Sequence, residues 1–323
     1  MTSPSTPRSE IIYQGGKLRL IHYKATGAQR FAPVLLVYAL IKRAFILDLE
    51  PGRSVVENLR SQGFDVFLTD WIPPGESDSW RGLESYVRQD LANAVSAVQN
   101  HQSREQISII GYCLGGLLSL LYASLRPRDV KNLVTLTTPV DLSLTRLSLN
   151  PMAYWVERQA LDFVKTFYGN LPSWLLKGCL MATMPAQYFM EFWSGLSDYN
   201  ESDHYAKASQ AFRLWLDSEV PIAGQLLREL MLNVVNENAL VRGGLKVGYE
   251  TVNLRRLASP LLNVVAEFDT VVPPRSSLPL LNLVGSEDKR NLVFPSGHVG
   301  VALSDRAHTQ LWPQIGRWLQ YRN

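Results

Sequence analysis

The sequence predicts an α/β protein: a mostly parallel sheet with helices on both faces, interrupted by a mostly helical insertion. Three observations carry this. Short apolar runs alternate with helical patterns through the first half of the chain, the mark of parallel strands joined by crossover helices. Strand character fades from about 142 to 245, where aromatics crowd, and then returns. One strand-to-helix junction, "SIIGYCLGGLLSLLY" (Ser108 to Tyr122), holds G-x-C-x-G, a tight turn carrying a thiol.

The elements follow in order. Lys17 to Ala25, "KLRLIHYKA", alternates as a first strand. "APVLLVYAL" is almost continuously apolar, as expected of a strand buried on both faces. "SVVENLRSQG" reads as a helix closed by Gly63, and "FDVFLTDW" as the next strand. "LESYVRQDLANAVSAVQNH" has helical spacing. "QISIIGYCLGG" is a strand, a sharp turn and the small-residue opening of a helix running through Leu125; "VKNLVTLTTPVD" is another strand. The insertion carries Tyr154, Trp155, Phe163, Trp174, Trp193 and Trp215 among its aromatics. Sheet character resumes with "SPLLNVVAEFD" (Ser259 to Asp269), a helix near "PRSSLPLLNLV" and a last strand, "RNLVFPSGH" (Arg290 to His298). A final helix starts at about Thr309. The expected division is a core of 1–141 and 246–323, with 142–245 as a helical cap.

Bulk composition excludes several classes. At 323 residues, with 46% apolar and 19% charged residues, the chain can bury a large core and has no disordered composition. A net charge of +3 with no Lys/Arg run gives no footprint for nucleic acid. Two cysteines, Cys113 and Cys179, make neither a disulfide framework nor a zinc site with these histidine spacings. The polar start, MTSPSTPRSE, has no apolar secretory core, and "FAPVLLVYALI" is too short to span a bilayer. The expectation is a cytoplasmic protein, where a reactive thiol survives.

The glycines of the motif, Gly111, Gly115 and Gly116, allow a strained strand-to-helix turn with close helix–strand approach. Such a nucleophile elbow lifts Cys113 above the sheet edge beside a helix N-terminus, which favours thiolate. The bland alternative is a buried packing cysteine, the reading that fits Cys179 in "LLKGCLMATM". An elbow nucleophile needs a base, and the base a carboxylate, in the chain order nucleophile, acid, histidine. Of five histidines, His22 precedes the elbow, His101 ends a polar helix, His204 lies in the insertion and His308 opens the last helix. His298, in the loop "FPSGHVG", fits the order. Asp269 ends the penultimate strand on the ligand-binding edge; Asp288 and Asp305 fit poorly. Oxyanion donors are expected from the backbone of Leu114 and of Ala39 to Leu40. Together these point to an α/β-hydrolase fold.

The segment "VYALIKRAFILDLEPGRSVVENLRSQGFDVFLTDWIPP", followed by "IIGYCLGG", "AEFDTVVPP" and "SGHVG", resembles the polyhydroxyalkanoate synthases from about Ile11 onward. The chain begins almost directly with the catalytic region, so the resemblance is to the class III catalytic subunit. It implies Cys113 as nucleophile, His298 as base and Asp269 as third member, Asp269 also helping to activate the incoming hydroxyl. It further implies (R)-3-hydroxyacyl-CoA (3-hydroxybutyryl-CoA foremost) as substrate, polyester and coenzyme A as products, and no cofactor. A homodimer, a non-catalytic second subunit and a granule surface are the implied partners. A Cys-nucleophile thioesterase or lactone hydrolase on the same fold is the first alternative reading, and a non-catalytic granule- or lipid-binding protein using the aromatic insertion is the second.

Overall fold

The computed structural model of the chain describes residues 9–29, 31–50, 52–142, 163, 169–177, 217–218 and 220–323. Eight strands make the main sheet: β1 (Glu10–Gly15), β2 (Leu18–Tyr23), β3 (Val34–Val37), β4 (Val66–Trp71), β5 (Ile107–Tyr112), β6 (Val130–Leu136), β7 (Leu261–Ala266) and β8 (Lys289–Phe294). Their spatial order is β1-β2-β4-β3-β5-β6-β7-β8. Strand β2 runs antiparallel to β1 and β4, and every other neighbouring pair is parallel. The central strands β3, β5 and β7 are buried at every position, which is why their sequences are apolar without alternation. At the outer edge, β8 is only partly covered.

The principal helices are α1 (Val55–Ser61), α2 (Ala92–Gln102), α3 (Leu114–Leu125) and α4 (Trp312–Gln320). Ser54 caps α1 by accepting the Glu57 N–H, and Gly63 follows it at φ 91°, the left-handed stop that the sequence predicts. All of α3 is buried, in keeping with a helix that is apolar on every side. Its two hydroxyls, Ser119 and Ser124, donate to the carbonyls of Gly115 and Leu120, so neither is left unpaired in the core.

Several expectations change. Strand β1 was not foreseen from the sequence; its outward positions make EIIYQG a poor apolar pattern, and pairing with β2 is what creates it. The helix expected near 274–284 is two short ones, Pro274–Ser277 and Leu280–Leu283, with Pro279 capping the second. The last helix begins earlier than Thr309, with wide turns over Ala307–Leu311. A π-type segment, Glu84–Leu91, leads into α2.

Of the expected insertion, residues 142, 163, 169–177, 217–218 and 220–245 are described. Leu171 and Ile222 exchange backbone bonds of 2.8 and 3.1 Å. Val220 N–H donates to Ile41 O, and the N–H groups of Gln225 and Leu226 donate to Ser79 and Arg81, tying the returning chain to the loops after β3 and β4. Helical turns follow over Gly224–Glu229, Leu230–Asn236 and Ala239–Arg242, then a small hairpin, Lys246–Val247 with Glu250–Thr251. Tyr154, Trp155, Trp193, Trp215, Cys179 and His204 lie outside the described residues. Among the described residues no helix is long and apolar enough to cross a membrane.

Candidate active site

The G-x-C-x-G turn folds as an elbow. Cys113 follows β5 with φ 54° and ψ −121°, a conformation that non-glycine residues rarely adopt and that costs of order 1–3 kcal/mol. Three backbone bonds hold it there: Cys113 N–H to Leu136 O at 2.8 Å, Gly116 N–H to Cys113 O at 2.9 Å and Leu117 N–H to Cys113 O at 3.2 Å. The neighbouring glycines are required by space. A methyl on Gly115 would strike the carbonyls of Val37 and Tyr38, and one on Gly116 would strike the Thr138 side chain. The first turn of α3 therefore presses against the ends of β3 and β6, and Cys113, 9% exposed, stands at the C-terminal end of the sheet.

The loops after β7 and β8 bring the other two expected residues to the same end. Asp269 is buried, and its Oδ1 accepts the N–H groups of Val271 and Val272 at 2.9 and 2.7 Å. Its Oδ2 meets His298 Nδ1 at 2.7 Å. With Nδ1 so engaged, the imidazole keeps its other nitrogen free to act on Cys113, whose sulfur is one of the groups that bear on the ring. Burial by itself would lower the imidazole pKa, but the Cys113 sulfur and the Asp269 carboxylate outweigh it and push it up to about 10. The arrangement can take a proton from the thiol and keep the resulting imidazolium between two negative groups.

The remaining candidates go elsewhere. Asp288 pairs with Arg322 through contacts of 2.6 and 2.9 Å at the opposite end of β8, and Asp305 lies 3.2 Å from Arg53. His308 is buried in the terminal helical segment and His22 pairs with Asp65. Leu114 opens α3, and Ala39 and Leu40 follow β3, whose Val37 is paired with Gly111, so all three backbones lie on the edge that carries Cys113.

Residues 32–304 match the family model described as the alpha/beta hydrolase fold. The solved structure of a soluble variant of monoglyceride lipase from Saccharomyces cerevisiae is similar at a TM-score of 0.66, covering 99% of this chain and 98% of that one; at 14% identity this likeness concerns the fold alone. The poly(3-hydroxyalkanoate) polymerase subunit PhaC of Synechocystis sp. is 34% identical, over 98% of this chain and 85% of its own length. The chain belongs to the poly(3-hydroxyalkanoate) polymerase family. That is a family of acyltransferases. Its PhaC relative from Haloferax mediterranei is also 34% identical over 98% of the chain, which spans 64% of that relative's length.

In this polymerase-family chain, sequence reasoning missed Tyr112. Its hydroxyl donates to the backbone carbonyl of His298 at 2.5 Å, and its ring stacks on Tyr38 at 5.4 Å and meets the His298 ring edge-on at 5.6 Å. Burial pushes the Tyr112 phenol well above its usual pKa, so it remains a donor. Its place immediately before the thiol was the available signal; the partner, a backbone carbonyl 186 residues away, carries none.

Proposed function

We propose that the chain polymerises (R)-3-hydroxyacyl-CoA, with 3-hydroxybutyryl-CoA the leading candidate, through an acyl-Cys113 intermediate. The single observation that supports this most is the Asp269–His298 couple, hydrogen-bonded at 2.7 Å and bearing on a Cys113 sulfur that sits on a strained elbow. In the first half-reaction His298 takes the thiol proton and Cys113 attacks the thioester carbonyl. The tetrahedral oxyanion is received by the N–H of Leu114 and an N–H from Ala39 or Leu40. It collapses with loss of the coenzyme A thiolate, which takes the proton from His298. In the second half-reaction the 3-hydroxyl of a bound unit or chain end gives its proton to His298, with Asp269 assisting, and attacks the acyl-Cys. The ester forms and the Cys113 sulfur leaves.

A thiol suits this sequence. Thioester exchange between coenzyme A and Cys113 is nearly balanced, while transfer from thioester to alcohol runs downhill. A serine would hold the acyl group as an oxoester and leave little drive for the second step. Water must be kept from the acyl-enzyme, and a cap formed by about 142–245 on a core of 1–141 and 246–323 is the proposed shield. No cofactor enters these steps, since coenzyme A is part of the substrate and a product. A homodimer, a non-catalytic second subunit and attachment to polyester granules in the cytoplasm complete the proposal.

The test is incubation of the purified chain with (R)-3-hydroxybutyryl-CoA, following coenzyme A release, free 3-hydroxy acid and high-mass polyester together. The expected products are coenzyme A and polymer, with faster onset when a candidate second subunit is added, and Cys113→Ala inactive. Stoichiometric free acid without polymer would instead establish a thioesterase. Full activity of Cys113→Ala would remove the covalent mechanism.

A further inference from the structure

Acyl transfer at Cys113 leaves a second titratable cluster unused. It lies at the other end of the sheet, where β4 begins rather than where β5 ends. Glu10 opens β1, His22 lies on β2 opposite Phe67 of β4, and His101 sits in the last turn of α2. One donor atom from each of Glu10, His22 and His101 falls within 4.8 Å of the other two. The rings are held in place. His22 stacks on Phe67 at 4.5 Å, and His101 meets His22 edge-on at 4.7 Å.

Asp65 is buried, and it accepts Ala25 N–H at 2.8 Å and the Gln102 side-chain amide at 2.7 Å, so it is placed as an ionised acceptor. His22 Nε2, 3.0 Å from Asp65 Oδ2, must then carry a proton toward it. His22 Nδ1 faces Glu10 Oε1, 3.2 Å away. That separation is the one expected of two ligands sharing a single ion at about 2.0–2.1 Å from each. His101 brings a third donor to the same point. The Asp65–His22 couple is also the carboxylate–histidine arrangement that orients metal-ligating imidazoles.

We propose that Glu10, His22 and His101 form a site for a divalent transition-metal ion of the Zn2+ kind, with its fourth position open to solvent. Two imidazoles and a carboxylate suit Zn2+, Ni2+ or Co2+ and do not make the octahedral oxygen cage that Mg2+ prefers. The bound ion staples the β1–β2 hairpin to the end of α2.

Calorimetric titration of the full chain, freed of metal with a chelator, with ZnCl2 tests this. Wild type and Cys113→Ala are expected to bind one Zn2+ each with the same affinity, because the catalytic thiol is not a ligand. His101→Ala and Glu10→Gln, both at exposed positions, weaken binding about tenfold or more. Zn2+ raises the unfolding midpoint of wild type and Cys113→Ala more than that of His101→Ala, whose metal-free midpoint reports an intact fold. Mg2+ gives no binding heat. Absence of stoichiometric Zn2+ binding, or binding that is lost in Cys113→Ala and kept in His101→Ala, overturns the proposal.

Discussion

Among the described residues two histidine–aspartate couples with buried carboxylates occur, His298–Asp269 and His22–Asp65, at 2.7 and 3.0 Å. As pairs they are nearly equivalent: in each, the carboxylate also accepts a backbone N–H and fixes one ring nitrogen. The third partner differs. The Cys113 sulfur, on a strained elbow, bears on His298, whereas His22 faces a carboxylate and a second imidazole. A histidine–aspartate couple is therefore only a holder, and what it holds decides the chemistry. Electrostatic consequences follow the same line: against its burial, the charge on the Cys113 sulfur is the largest single influence, followed by the Asp269 carboxylate, raising that imidazole to about 10.

The comparison can be broken by damaging each couple in turn. Asp269→Asn is expected to cost about a hundred- to ten-thousand-fold in kcat, because an amide presented to His298 Nδ1 favours the wrong tautomer; coenzyme A release by the folded variant measures it. An effect below threefold would show that Asp269 does not orient the base. Asp65→Ala should leave turnover per folded molecule near wild type but cost about 3–5 kcal/mol, since it strips a buried partner from His22 and Ala25 N–H. Urea unfolding reads this directly, and a normal midpoint would mean that the second couple holds nothing.

Titration of the His298 ring by NMR sharpens the contrast. A raised pKa means that the protonated form persists upward from neutrality, with a midpoint near 10 in wild type. In Cys113→Ala the midpoint should fall, because the largest upward influence has gone; an unchanged midpoint would assign the shift to Asp269 alone. The smallest effect is expected at a pair outside both couples. Arg322 beside Asp288 holds that carboxyl below its usual range despite partial burial. Its contribution is thus present above the unfolded value, about pH 4, and lost as pH falls. Asp288→Asn should cost under about 1 kcal/mol at neutral pH and nothing in acid, because the carboxylate is 49% exposed.

How much of this was legible in the sequence depends on how local each cause is. Helix α1 was legible because Ser54 and Gly63 act within a turn of it. The elbow was legible because its steric demands fall on Gly111, Gly115 and Gly116, all within three residues of Cys113. Asp269 and His298 were found by chain order and by lying just past strand ends, where an α/β sheet gathers its chemistry. By itself, then, the sequence determined the strand alternation, the turn that strains Cys113 and the two residues able to serve it. Only the tertiary structure decided that β1 pairs with β2, that Tyr112 clamps the His298 carbonyl, and that residues 10, 22, 65 and 101 converge. Such arrangements come from sheet pairing and helix packing between segments far apart in the chain, and a side chain leaves no periodic or local trace of a partner that the fold alone brings to it.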